Sequence, residues 1–102
     1  MTAAETLYHS IGESMPEAIS SQMFGKPCLK LGKKAFVCFF QDEMVFKLDG
    51  ETHKEALSLD GSHLFDPSAK GRAMKQWVQV AYDYHEQWPK FAQAAADYIR
   101  TL

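Results

Sequence analysis

The sequence predicts an α+β fold: a small antiparallel sheet, built from a three-stranded meander plus a second hairpin, packed with N-terminal, middle and C-terminal helices. Three observations lead there. Met23 to Leu48, MFGKPCLKLGKKAFVCFFQDEMVFKL, alternates apolar runs with two short turns. His63-Leu64-Phe65 and Lys75 to Ala81 flank a loop carrying Pro67 and Gly71, which reads as a further pair of strands. Phe91, Ala94, Ala95, Tyr98, Ile99 and Leu102 recur at the 3.6-residue period of an amphipathic helix.

In chain order, Thr2-Ala3-Ala4-Glu5 is a capping box, in which a hydroxyl and a carboxylate satisfy amides at a helix start. The helix it opens is short, with Leu7, Tyr8 and Ile11 on its apolar face and Gly12 or Ser14 ending it before Pro16. Glu17 to Gln22 reads as an extended approach to Met23, although Ser14 to Glu17 also fits a capped turn. Within the meander, Leu29 and Leu31 lead into a Gly32-Lys33-Lys34 turn. Ala35 to Phe40 follows with almost no polar position, the pattern of a central strand covered on both faces. Gln41-Asp42-Glu43 then turns back into Met44 to Leu48, which alternates. A three-residue loop at 32–34 makes residues whose numbers sum to 66 face each other, so Cys28 and Cys38 become cross-strand neighbours. The expected meaning is two packed thiols, with a redox pair as the alternative. Asp49 is an N-cap for a helix through Leu57, and Gly61 terminates it. Pro89 suits the first turn of the last helix.

A chain of 102 residues with 46% hydrophobic content and seven Phe is enough for one core and one domain, 1–102. MTAAETLYHS lacks the basic start and apolar run of a signal peptide, and no apolar stretch approaches the roughly 18 residues of a membrane span. A cytoplasmic protein without membrane association is expected, and two cysteines suit that compartment as free thiols. The net charge of −2 argues against a dedicated nucleic-acid binder, whose domain is usually strongly basic.

Met23-Phe24-Gly25, the Leu31-Gly32-Lys33 turn, the Phe36–Phe40 strand, the strand with Val45, Phe46 and Leu48, Phe65, and Gly71-Arg72 followed by Met74, Trp77 and Val80 resemble the N-terminal domain of the TfoX/Sxy family of competence regulators. The resemblance covers nearly the whole chain. It implies a compact α+β domain related to the YjbR-like and MotA C-terminal, or double wing, folds, some of which bind DNA through an exposed sheet. It implies no catalytic residue and no cofactor. The chain leaves no length after Leu102 for the C-terminal helical domain of the full regulators, so the N-terminal domain alone is expected.

Charge distribution carries the candidate binding residues. Segment 23–48 holds Lys26, Lys30, Lys33, Lys34 and Lys47 against Asp42 and Glu43, a net +3, leaving −5 to the remaining 76 residues. Lys30, Lys33 and Lys34 are expected around one hairpin tip, and Lys70, Arg72 and Lys75 around the second loop, as two basic projections against phosphates. The competing reading is solvation, since lysines at tips and edges also keep sheets from pairing. Trp77 alternates with Val78 and Val80. Exposed, it would stack on a base or anchor a partner; under the terminal helix it would be core. Arg72 is expected to pin its loop or to grip an anion.

Enzymatic signals are sparse. His9, His53, His63 and His85 fall on separate elements without metal-ligand spacing, and Cys38 lies in the most hydrophobic strand, where burial makes a thiol inert. No enzyme activity, metal or cofactor is expected. Two functions stay open: a regulatory module making weak, salt-sensitive DNA contacts through its basic loops, and a protein-interaction module, with a homodimer as one form, using an apolar sheet face or the Trp77, Tyr82, Tyr84 and Trp88 region.

Overall fold

The computed structural model describes residues 1–67, 71 and 73–102. Thr2 caps helix α1 (Ala3–Glu13) by accepting the Glu5 amide at 3.1 Å, and its hydroxyl donates to Asp42 Oδ1 at 2.8 Å, which ties the helix start to a distant turn. Strands β1 (Ile19–Met23), β2 (Lys26–Leu31), β3 (Lys34–Phe40) and β4 (Glu43–Lys47) follow as consecutive hairpins. Helix α2 (Gly50–Ser58), strands β5 (His63–Phe65) and β6 (Met74–Val80), a 3-10 segment (Tyr82–Gln87) and helix α3 (Trp88–Arg100) complete the chain. The result is α+β, with one six-stranded antiparallel sheet in the order β1-β2-β3-β4-β6-β5.

Strand grouping differs from the sequence expectation in two ways. The meander has a fourth strand, because 19–23 pairs along its whole length with β2. The second hairpin is not separate: β6 pairs with β4, so both units merge into one sheet.

The register near Gly32 also differs. The turn contains two residues, Gly32 and Lys33, with Gly32 at φ +61°. Leu31 therefore faces Lys34 and Lys30 faces Ala35, one residue off the expected pairing. Phe36 is the extra residue that restores it, since Leu29 faces Val37 and Cys28 faces Cys38 beyond the bulge. The bulge turns Phe36 and Val37 both toward the main core, where each is fully buried.

All three helices lie on one face. Tyr8 of α1 meets Phe39 with ring centroids 5.1 Å apart, Phe91 of α3 meets Phe46 at 5.7 Å, and Ala56 of α2 joins Val78, Val80 and Leu48 in the same cluster. Helix α3 buries Trp88, Phe91, Ala92, Ala95, Ala96 and Ile99, a stripe rotated from the expected one toward the small residues Ala92 and Ala96. Leu102, expected on that stripe, is 56% exposed, because the helix ends at Arg100. Small side chains let a helix axis approach a sheet closely, a preference invisible to hydrophobic period alone.

Among the described residues, no helix lies on the opposite face. Its cluster consists of Cys28, Cys38, Val45, Phe65 and Trp77, with Met23, Ala35, Phe40 and Met74 packed around it. Phe40 on β3 and Phe65 on β5 are separated by two strands, yet their rings meet at 5.5 Å. The sheet therefore coils strongly and closes this face over itself. Trp77 is core, only 6% exposed, but sheet residues bury it rather than the terminal helix.

Candidate binding surface

The register distributes the candidate lysines to different places. Leu29 and Leu31 pack into the helix-side core, so Lys30 between them points to the helix-free face, opposite Ala35. Lys47 lies opposite Trp77 on that same face. Lys26 also stands there, with Nζ 4.7 Å from the centroid of the Phe40 ring, a cation–π contact that holds its stem across the second cluster. Lys75 follows two residues before Trp77 on β6 and is exposed, rather than sitting in the loop.

The hairpin tip does not act as one basic cluster. Lys33 is exposed in the turn, whereas Lys34 points to the helix side and donates from Nζ to the Leu102 carbonyl at 2.9 Å. Lys30 leaves in the opposite direction. Lys70 and Arg72 lie outside the described residues; the Asp66 carboxylate in that loop accepts the Gly71 amide at 2.8 Å.

Ion pairing separates the two faces. Among the described residues, cations with acidic partners are on helices: Lys54 with Glu51 at 3.9 Å, Lys90 with Glu55, and Arg100 with Glu17 at 3.2 Å and Asp97 at 3.1 Å. Lys26, Lys30 and Lys47 have no such partner among the described residues. The carboxylate nearest in register to this group is Glu43, which accepts from Gln79 Nε2 at 2.6 Å. The helix-free face thus has three cations, on β2 and β4 to either side of β3, around an apolar centre, and the Glu43 carboxylate beside them is engaged by Gln79. Sequence reasoning found these residues by charge density. Alternation already set Lys47 opposite Met44, Phe46 and Leu48; that Lys26, Lys30 and Lys47 share the face without helices is a property of the tertiary structure.

The aromatic region proposed for partner binding is not a patch. Trp88 is fully buried in the helix-side core and Trp77 lies in the other cluster, while Tyr82 and Tyr84 pack partly buried against the first. Tyr82 stacks on His85 at 4.4 Å. Large exposed apolar side chains are instead Met1, Ile19, Phe24, Leu57 and Leu102.

Three of the four histidines are hydrogen-bonded to backbone carbonyls and both thiols are buried, while His9 is exposed with its ring 5.3 Å from that of Tyr8. His53 Nε2 bonds the Lys75 carbonyl at 2.8 Å, His63 Nδ1 the Leu64 carbonyl at 3.0 Å, and His85 Nδ1 the Tyr82 carbonyl at 2.9 Å. Cys28 and Cys38 are free thiols with no solvent exposure. Burial, reinforced by Cys28, pushes the Cys38 thiol up to about 11, and burial likewise raises Cys28. Among the described residues no group of three or more His, Cys, Asp or Glu side chains gathers to hold a metal, and no helix is long and apolar enough to cross a membrane. An open cleft of about 470 Å³ lies between α1 and β1, lined by Met1, His9, Gly12, Glu13, Ala18, Ser20 and Leu29. Compared with family models, curated proteins and solved structures, the chain matches none.

Proposed function

We propose that this chain is a non-enzymatic regulatory binding domain, of the kind its resemblance to the TfoX/Sxy N-terminal domain implies, and that its helix-free sheet face takes a nucleic-acid backbone. One observation carries this reading: Lys26 and Lys30 on β2 and Lys47 on β4, the strands on either side of β3, stand on the face no helix covers, without acidic partners among the described residues, while cations on the helices are paired. Unpaired ammonium groups on a coiled sheet can each neutralise a phosphate and release its counterion. The apolar centre between them is buried, so the contact is electrostatic and follows the backbone rather than stacking bases. Buried thiols and the backbone-bound imidazoles of His53, His63 and His85 support a role without catalysis.

The test is fluorescence anisotropy with a labelled DNA duplex over a salt series. Three lysines, with Lys75 as a fourth, predict a slope of log K against log salt of about −2.7 to −3.6. The triple variant Lys26→Glu, Lys30→Glu, Lys47→Glu should lose binding, whereas Lys33→Glu with Lys34→Glu should weaken it only slightly. Wild-type affinity in the triple variant would refute the assignment, and loss confined to the Lys33, Lys34 pair would return the contact to the hairpin tip.

A further inference from the structure

The two edges of the sheet are treated differently. Strand β5 is three residues long and its register with β6 breaks between Leu64 and Phe65, devices that blunt an edge against further pairing. Strand β1 has neither. It pairs with β2 in five unbroken steps, from Ile19 with Lys30 to Met23 with Lys26, and ISSQM contains no charge and no proline. Among the described residues no strand pairs with its outer side.

The strand is also complementary to itself. When two copies run antiparallel about Ser21, Ile19 of each faces Met23 of the other, Ser20 faces Gln22, and Ser21 faces Ser21. Each apolar residue meets an apolar one and each polar residue a polar one, with no like charges opposed. The side-chain faces agree as well, since a two-fold axis perpendicular to the strands keeps the helices of both copies on one side.

Apolar exposure marks the same place. Ile19 is 55% exposed and Phe24 58%, one at each end of β1. Phe24 sits in the two-residue turn to β2 at φ +55°, a left-handed conformation that a bulky side chain seldom adopts, beside Gly25 at φ +74°. An aromatic residue that is both exposed and strained gains nothing within one copy. In an antiparallel pair centred on Ser21, residue 24 stands opposite residue 18 of the second copy, which would set Phe24 beside the apolar surface at Ala18.

We propose that a second copy of this chain docks on β1, antiparallel across a two-fold axis at Ser21, joining the two sheets into one continuous sheet with both lysine-bearing faces on the same side. Sedimentation equilibrium without nucleic acid tests it, so the result is independent of the binding proposed above. The wild type should self-associate to dimers by millimolar concentration. Ser20→Lys with Gln22→Lys sets lysine opposite lysine twice and should give monomers, as should Ser20→Glu with Gln22→Glu; mixing the two variants should restore dimers as a heterodimer. Phe24→Asn should weaken dimerisation by about tenfold or more while raising the urea midpoint of the dilute monomer, because asparagine tolerates the left-handed turn. A monomeric wild type at millimolar concentration, or charge variants that dimerise as the wild type does, would overturn the proposal.

Discussion

Cys38 shows how position sets chemistry for a single side chain. It lies in the middle of β3, fully buried beneath Phe65 and Trp77, and its thiol is shifted up to about 11 from the ordinary 9.0 because the anion would lose its water. The unfolded chain ionises at the lower pH and the folded chain at the higher. Stability is therefore unaffected below about pH 9 and falls as pH rises from 9 to 11, by an amount on the order of 2–3 kcal/mol from this group. Urea unfolding at pH 8 and at pH 11 measures it, and Cys38→Ala should remove that part of the decline. The lysines teach the complementary lesson. Lys30 and Lys34 are four positions apart and of one type, yet one faces the helix-free side and the other bonds the Leu102 carbonyl.

At the level of elements, turns and bulges decide more than propensities. The β3–β4 connection holds Gln41 at φ +52° and Asp42 at φ +62°, the pattern of a tight hairpin turn that prefers Asn-Gly. Gln41→Asn should stabilise the protein by roughly 0.5–1 kcal/mol, seen as a higher urea midpoint with unchanged slope. Asp42→Gly should gain less, because it removes the acceptor of the Thr2 hydroxyl and frees α1 from the turn. Helix α1 must also pass close to β2: a β-carbon on Gly12 would come within 3.1 Å of Leu29 Cδ2. That close approach stops short of β1, so the cleft beside Ser20 stays open and Ile19 exposed.

For the molecule as a whole, one sheet divides two environments. Helices cover the face with Phe36, Phe39, Met44 and Phe46, while the other face closes through coiling and keeps its lysines at the margin. Pairing through β1 would place the two lysine sets side by side, with the β1 strands between them and about 14 Å from one β2 to the other. DNA long enough to span both should then show a salt slope near twice that of a short duplex, about −6 instead of −3. The Ser20→Lys, Gln22→Lys variant adds cations and so cannot serve as the comparison; Ser20→Glu, Gln22→Glu mixed with it, which restores pairing at no net charge, can. Anisotropy with duplexes of two lengths reads the difference.

Sequence alone determined the fold class, the meander, the second hairpin and the end helices, because hydrophobic period and turn residues act locally; Cys28 faces Cys38 as expected, but through a two-residue turn offset by the Phe36 bulge and not through the three-residue loop. Thr2 as a cap, Asp49 before α2 and Pro89 at the start of α3 were legible for the same reason. Tertiary structure decided that the Gly32 tip divides its lysines, with Lys34 turned to the helix side, since the Phe36 bulge shifts the register by one residue and no local signal marks a bulge within an apolar run. It also decided that sheet coiling, and not α3, buries Trp77, and that β1 is left as the open edge. These are properties of strand order and curvature, which arise only when distant segments pair.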